Sequence, residues 1–251
     1  MMKRVEMTVA SVREIGRDTF EMILQNAYIA CNAKPGQFLH LLVDSRTLRR
    51  PISIASINQE NDAVTILFKI TGNGTKWLSA CQPGVTLDAI GPAGNGFSYD
   101  EATMETALLI GGGIGIPPLY GLGKELSKKG IHIKTILGFQ SKEYVFYEGM
   151  FQEFGKTYVV TNDGSYGNQG FVTSVLDQVG NFDRYFSCGP IPMLKAVTNK
   201  LSDHQGSISL EARMGCGVGA CFACVIPTDS EGGYRKICSD GPVFAADEVM
   251  L

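Results

Sequence analysis

Four cysteines near the C-terminal end constrain this chain more than any other feature. Three stand in GCGVGACFAC, Gly215 to Cys224, and the fourth follows later, giving Cys216-x4-Cys221-x2-Cys224-x13-Cys238. The stretch from residue 211 to 251 is rich in turns and too short to fold around a hydrophobic core of its own. A segment of that kind needs a staple. Four-cysteine zinc sites usually come as two C-x2-C knuckles. Here a single C-x2-C is preceded at x4 by another thiol, which is the plant-type [2Fe–2S] spacing. Gly215, Gly217, Gly219 and Ala220 let the backbone curl close enough for its N–H groups to reach cluster sulfur. Cys216, Cys221, Cys224 and Cys238 are therefore expected to hold a [2Fe–2S] cluster, with zinc as the alternative.

The remaining composition narrows the setting. The chain has seven cysteines, an odd number, and begins MMKRVEMTVASVREIG without an apolar leader. Both points favour a reducing compartment over a disulfide framework, so a cytoplasmic location is expected. A formal net charge of -3 offers nothing to nucleic acid or to an anionic membrane. The longest uncharged stretch, Thr106 to Gly123, holds six glycines and the Pro117-Pro118 pair. It falls short of the roughly 20 apolar residues of a membrane span and reads as a buried strand, turn and helix.

Along the chain the texture changes once. RVEMTVASVREI, TFEMILQN, GQFLHLLV, PISIASI and AVTILFKI are short β-rich runs with polar or glycine turns between them. With one short helix over TKWLSACQ, they predict an antiparallel β-barrel over residues 1–99, closed by the turn-like GPAGNGF, Gly91 to Phe97. From residue 100 to 210 strands and helices alternate: TALLIGGG, PPLYGLGKELSKKG, IHIKTILGF, TYVVTNDG, FVTSVLDQV, RYFSCGP and IPMLKAVTNKLSDH. That alternation predicts a Rossmann-like parallel sheet with helices on its faces. The fold class expected is thus β-barrel plus α/β, followed by a cysteine-rich segment over 211–251.

Two glycine turns carry the next layer of chemistry. ITGNGTKWL places Gly72, Gly74 and Thr75 at a helix start, where free N–H groups and the helix dipole favour a phosphate. Arg50, in RRPISIAS, is placed to pair with the same pyrophosphate through its guanidinium fork. IGGGIGIPPL does similar work in the second half. It departs from G-x-G-x-x-G, because Ile116 takes the last glycine position, and no acidic residue follows about twenty residues on. A tight turn without ligand stays open as the alternative.

Taken together, R-P-x-S, G-x-G-T, G-G-G-I-G and C-G-P resemble the ferredoxin–NAD(P)H reductase superfamily. MGCGVGACFACVIP and KICSDGPVF narrow the resemblance to the electron-transfer subunits of bacterial NAD-dependent dihydroorotate dehydrogenases, across essentially the whole chain. The resemblance implies FAD in the barrel, with Arg50, Pro51, Ile52 and Ser53 along the flavin and its phosphates. Leu67, Phe68 and Lys69 would form a strand passing the cofactor, and Gly74 and Thr75 would meet the pyrophosphate. It implies NAD at Gly111, Gly112, Gly113 and Gly115, with Cys188, Gly189 and Pro190 near the nicotinamide and Thr161 to Gly167 as a further loop. The missing last glycine is ordinary in that superfamily. An FMN-containing dihydroorotate dehydrogenase catalytic subunit is the implied partner, in a heterotetramer of two of each.

Hydride exchange between nicotinamide and flavin needs stacked rings and excluded water, and no protein acid or base. This accounts for His40, His132 and His204 standing in no catalytic motif, as surface or strand residues. It also accounts for the lack of any spare set of polar anchors for a small carboxylated substrate. Two other readings stay open at this point. One is a reductase subunit of a hydrogenase, a sulfite reductase or an NADH-dependent ferredoxin:NADP oxidoreductase; the other is a zinc-stapled flavin-binding module without turnover. Lys142 and Glu143, in GFQSKE, leave NAD against NADP undecided from the residues alone.

Overall fold

A computed structural model describes residues 1–44, 48–100, 104–229 and 232–251. The N-terminal runs form β1 (Lys3–Gly16), β2 (Thr19–Gln25), β3 (Phe38–Leu41), β4 (Arg50–Asn58), β5 (Ala63–Lys69) and β6 (Thr86–Ala93). They close a barrel in the order β1-β2-β5-β4-β3-β6, and every pair is antiparallel. Alternation decides what each strand buries. In β3, Leu39 and Leu41 enter the barrel core with Met7, Met22 and Ile66, while Phe38 points outward into the neighbouring core.

Two short elements had no sequence signal. Helix α1 (Ala27–Asn32) starts at Asn26, whose side chain accepts the Ile29 N–H at 3.0 Å. Strand β6 runs through Gly91, Pro92 and Ala93, residues that read as part of a closing turn. Their pairing with Lys3 and Phe38 keeps the chain extended in spite of its glycine and proline. Helix α2 (Asn73–Ser79) follows the Gly72 turn as expected.

The second half builds a seven-stranded sheet from β7 (Thr106–Gly112), β8 (His132–Phe139), β9 (Gly155–Thr161), β10 (Asn168–Gln169), β11 (Arg184–Cys188), β12 (Gln205–Ser209) and the late β15 (Val243–Ala245). The order is β10-β9-β8-β7-β11-β12-β15, parallel throughout except for the last pair. Helix α3 (Ile116–Lys128) follows β7, with Leu119, Leu122 and Leu126 fully buried. The sequence showed no helix between β8 and β9, where α4 (Glu148–Gln152) forms. FVTSVLDQV gives only a 3₁₀ turn and the four-residue α5 (Leu176–Val179), because Gly180 ends it with φ +71°. Helix α6 (Ile191–Lys200) stops short of His204.

The cysteine segment adds β13 (Val225–Pro227) and β14 (Tyr234–Lys236), a two-stranded ribbon, and β15 (Val243–Ala245). Strand β15 pairs antiparallel with β12 and so becomes the edge of the sheet. Cys224, Cys238, Ile226, Ile237 and Phe244 share one core with Phe38 of the barrel and Ile208 of the sheet. A segment without its own core thereby borrows one from both neighbours. The barrel and sheet are also joined directly: Tyr147 donates to Glu21 at 2.5 Å, and Arg17 pairs with Glu143. No helix among the described residues is long and apolar enough to cross a membrane.

Candidate functional site

Three groups of residues carry candidate binding chemistry: the barrel lip, a cavity between barrel and sheet, and the cysteine loop. At the barrel lip, Arg50 opens β4 and its Nη1 donates to the carbonyls of Leu48 (2.8 Å) and Arg49 (3.3 Å). Its Nε and Nη2 lie over Gly74, where a Cβ would stand 3.3 and 3.5 Å from them. Gly74 thus lets the guanidinium sit on the first turn of α2. The Thr75 hydroxyl closes the same turn, accepting the Thr71 N–H at 2.9 Å and donating to the Gly72 carbonyl at 3.2 Å. A cationic fork beside free backbone N–H groups is a fitting cradle for a pyrophosphate.

Between the barrel and the carboxyl ends of the sheet strands lies a cavity of about 750 Å³. Lys69 lines it from β5, Gly112, Gly113 and Gly115 from the turn after β7, and Gly189 and Pro190 from the turn after β11. A crevice outside the carboxyl ends of a parallel sheet is where this architecture takes dinucleotides. The glycines divide the work. At Gly115 a Cβ would stand 2.5 Å from the Cys188 carbonyl carbon and 2.5 Å from the Gly189 nitrogen, so the two turns touch backbone to backbone. Gly113 instead has φ +52° and open space around it, which exposes its backbone to a ligand.

The third group is the cysteine loop. The Cys216 sulfur accepts N–H groups from Val218 (3.5 Å) and Cys221 (3.3 Å), and the Cys238 sulfur accepts the Gly219 N–H (3.2 Å). Partial burial opposes ionisation of Cys216, but the N–H donors of Val218, Cys221 and Ala220 and the Cys221 thiol bring it down to about 6. Burial first, then the adjacent Cys224 thiol, pushes Cys238 up to about 12. Cys221 lies beside Cys216 and Cys224 beside Cys238, with Cys216 near enough to act on Cys238 as well. Among the described residues no three His, Cys, Asp or Glu side chains gather on one point as a single ion requires. Two pairs suit a cluster of two irons, and sulfur atoms already met by backbone N–H groups suit its charge.

The comparisons agree with this geometry. Residues 211–250 match the model of the iron-sulfur cluster binding domain of dihydroorotate dehydrogenase B. The dihydroorotate dehydrogenase B (NAD(+)) electron transfer subunit of Geobacillus sp. is 49% identical over 258 residues, covering 100% of both chains. That of Bacillus pumilus is 51% identical over 258 residues, covering 100% of this chain and 99% of its own. This chain belongs to the family of dihydroorotate dehydrogenase B electron transfer subunits. Among solved structures, the NADH-dependent reduced ferredoxin-NADP oxidoreductase superposes with a TM-score of 0.89 at 29% identity, over 97% of this chain and 89% of that one. A ferredoxin NADP+ reductase from Neisseria gonorrhoeae shares the fold, with a TM-score of 0.68 at 17% identity over 80% of this chain and 91% of that one.

For a member of this family, the placement of each anticipated residue is informative. Of Leu67, Phe68 and Lys69, only Lys69 reaches the cavity, where its ammonium lies 4.1 Å from the Tyr144 ring. Leu67 and Phe68 are buried in the cores on either side of β5. Ile52 points into the barrel, while Pro51 and Ser53 share the outer face of β4 with their partners His40 and Phe38. Gly111 does not line the cavity; a Cβ there would come 2.6 Å from the Ile116 side chain, so its role is strand-to-helix packing. Cys188 lies fully buried beneath the cavity, and burial first, then nearby Glu211, pushes its thiol well above the ordinary range. It is a protonated packing residue under the turn.

Sequence reasoning missed Glu211, the one carboxylate lining the cavity among the described residues. It lies two residues beyond the end of β12, at the open mouth of the cavity, where desolvation raises its carboxyl above the usual range. The only signal available was an acidic residue ending the buried run SISLE. Phe139, Phe146 and Phe171 also face the cavity and give it an apolar wall.

Proposed function

We propose that electrons enter this chain at Cys216, Cys221, Cys224 and Cys238 and leave as hydride to NAD⁺ in the cavity beside Gly112 to Gly115. The chain is an oxidoreductase subunit that serves an NAD-dependent dihydroorotate dehydrogenase in pyrimidine biosynthesis, with FAD, a [2Fe–2S] cluster and NAD as its redox groups. When bound, the cluster supplies one-electron carriage and FAD supplies the exchange between single electrons and hydride. The residues hold, orient and desolvate. Arg50 and the N–H groups about Gly74 neutralise the pyrophosphate of FAD, and Pro51 and Ser53 lie along the flavin. Gly113 and Gly115 bring the second dinucleotide close to the sheet, and Lys69 and Glu211 flank the cavity with opposite charges. Phe139, Phe146 and Phe171 keep water out of it.

The partner is a catalytic dihydroorotate dehydrogenase subunit. We propose further that it carries FMN and oxidises dihydroorotate there, that two of each subunit form a heterotetramer, and that the complex works in the cytoplasm. The division of the chain at 1–99, 100–210 and 211–251 into flavin, dinucleotide and cluster units follows the change of chemistry along it. One observation carries the reading: a single chain presents a cavity at the sheet ends, a phosphate cradle at the barrel lip and a loop of four thiols packed against both barrel and sheet. Full-length identity near one half to the Geobacillus sp. and Bacillus pumilus proteins favours this over service to a hydrogenase or sulfite reductase. The test is electron paramagnetic resonance on anaerobically purified protein. Cys221→Ser is expected to abolish the reduced-cluster signal while FAD stays bound; stoichiometric zinc without iron in the native chain refutes the cluster assignment.

A further inference from the structure

His40 is the buried polar side chain that the function leaves unexplained. It is fully buried on β3, and neither ring nitrogen has a hydrogen-bond partner of good geometry. The backbones of Cys216 and Arg49 approach it, and the Phe38 ring stands edge-on at 6.5 Å. A buried polar group without a partner is unfavourable, by roughly 1–3 kcal/mol, unless something nearby completes it. On one side the ring meets the cysteine loop. Gly217, with φ +69°, lies flat against the imidazole, and a Cβ there would stand 2.6 Å from Cε1 and 2.9 Å from Cγ. On the other side His40 is register partner to Pro51, and Phe38 to Ser53, so all four side chains share the outer face of the β3–β4 pair. The same loop is held at a second point, where Asn95 donates its N–H to the Gly241 carbonyl (2.6 Å) and its side-chain amide to the Asp240 carbonyl (2.8 Å).

We propose that His40 is a positioning residue for the cluster: its imidazole N–H donates to the Cys216–Gly217 stretch and locks the cysteine loop onto the strands that carry the flavin contacts. The inference rests on the cluster reading above. Loss of that donor loosens the loop whose N–H groups meet the Cys216 sulfur, and weaker hydrogen bonding to sulfur lowers the potential of a cluster. It also frees the loop to move against β4.

The experiment uses the full chain, reconstituted anaerobically, with three variants. His40→Leu fills the space without a donor, His40→Asn restores an N–H near the place of the ring nitrogen, and Gly217→Ala drives the intact ring away. The expected result for His40→Leu is a lower cluster midpoint potential, altered g-values in the reduced-state spectrum and iron release to a chelator about tenfold faster, with FAD occupancy unchanged. His40→Asn should recover most of the potential, and Gly217→Ala should reproduce the His40→Leu shift. A His40→Leu protein that loads FAD but no cluster, rescued by His40→Asn, gives the same support. Native potential and g-values in His40→Leu overturn the proposal, as does an Asn variant shifted as far as the Leu variant. Failure of the underlying cluster reading is distinguishable, because the unsubstituted chain would then show no cluster signal at all.

Discussion

Replacing Gly115 by alanine tests how the dinucleotide turn is built. A Cβ at this position would stand 2.5 Å from both the Cys188 carbonyl carbon and the Gly189 nitrogen. Ordinary carbon contacts begin near 3.5 Å, so the two turns must part by about 1 Å. Both atoms belong to backbone, and Cys188 is itself anchored in the sheet between Gly111 and Ser209. Neither neighbour can swing aside as a side-chain tip would. Overpacking of this kind is unfavourable by about 1–3 kcal/mol. Where the displaced atoms form the floor of the NADH site, that corresponds to about 5- to 150-fold weaker binding. Gly113→Ala in the same turn is the control. It meets nothing within 4 Å, and only its φ of +52° opposes the change, so it should weaken binding by about 30-fold at most. The assay is steady-state reduction of ferricyanide by NADH, with FAD content measured on the same samples. The expected result is a raised KM in Gly115→Ala with flavin retained. A native KM in Gly115→Ala, or a larger effect at Gly113, refutes the reasoning.

Arg50→Ala should shed FAD on dilution, since a charge-assisted phosphate contact contributes on the order of 1.5–3 kcal/mol, or about 10- to 150-fold in affinity; fluorescence of released flavin checks it, and undiminished affinity removes Arg50 from the site. Glu211 has a folded-state pKa raised by desolvation at the cavity mouth, so the native state holds its proton to higher pH than the unfolded chain does. Its contribution to stability therefore falls as pH rises from the ordinary glutamate range through the raised value, and is fully lost above it. Glu211→Gln should flatten that part of the pH–stability curve and raise the melting temperature at neutral pH, as followed by thermal melts from pH 4 to 8.

Much of this architecture was legible because local chemistry and global fold agree. Period-two runs such as TFEMILQ became barrel strands, and TALLIGG entering a glycine turn became the first sheet strand. The x4, x2, x13 spacing marked four thiols for one site, although the segment that carries them packs on Phe38 and Ile208. The features that were not legible depend on partners far along the chain. Strand β6 is extended because Lys3 and Phe38 pair with a glycine–proline stretch that alone reads as a turn. Strand β15 exists because β12 offers it a sheet edge about forty residues earlier. Cys188 ends a strand and precedes Gly-Pro, as a nicotinamide neighbour would, yet close contact with Gly115 keeps it beneath the cavity. His40 and Glu211 look like isolated polar residues until the cysteine loop closes over one and the cavity opens beside the other. Even the Tyr147 turn, in the left-handed region at φ +62°, is held by a hydrogen bond to Glu21 that crosses from sheet to barrel.

The division of labour between this chain and its partner is tested most directly by following NAD⁺ reduction with dihydroorotate as the only reductant. The isolated chain should pass electrons from NADH to ferricyanide and leave dihydroorotate untouched. Addition of the catalytic subunit should start dihydroorotate-dependent formation of NADH, and Cys221→Ser should stop that coupled reaction while sparing most of the ferricyanide activity. Oxidation of dihydroorotate by the isolated chain, or coupling that survives loss of the cluster in Cys221→Ser, would contradict the account.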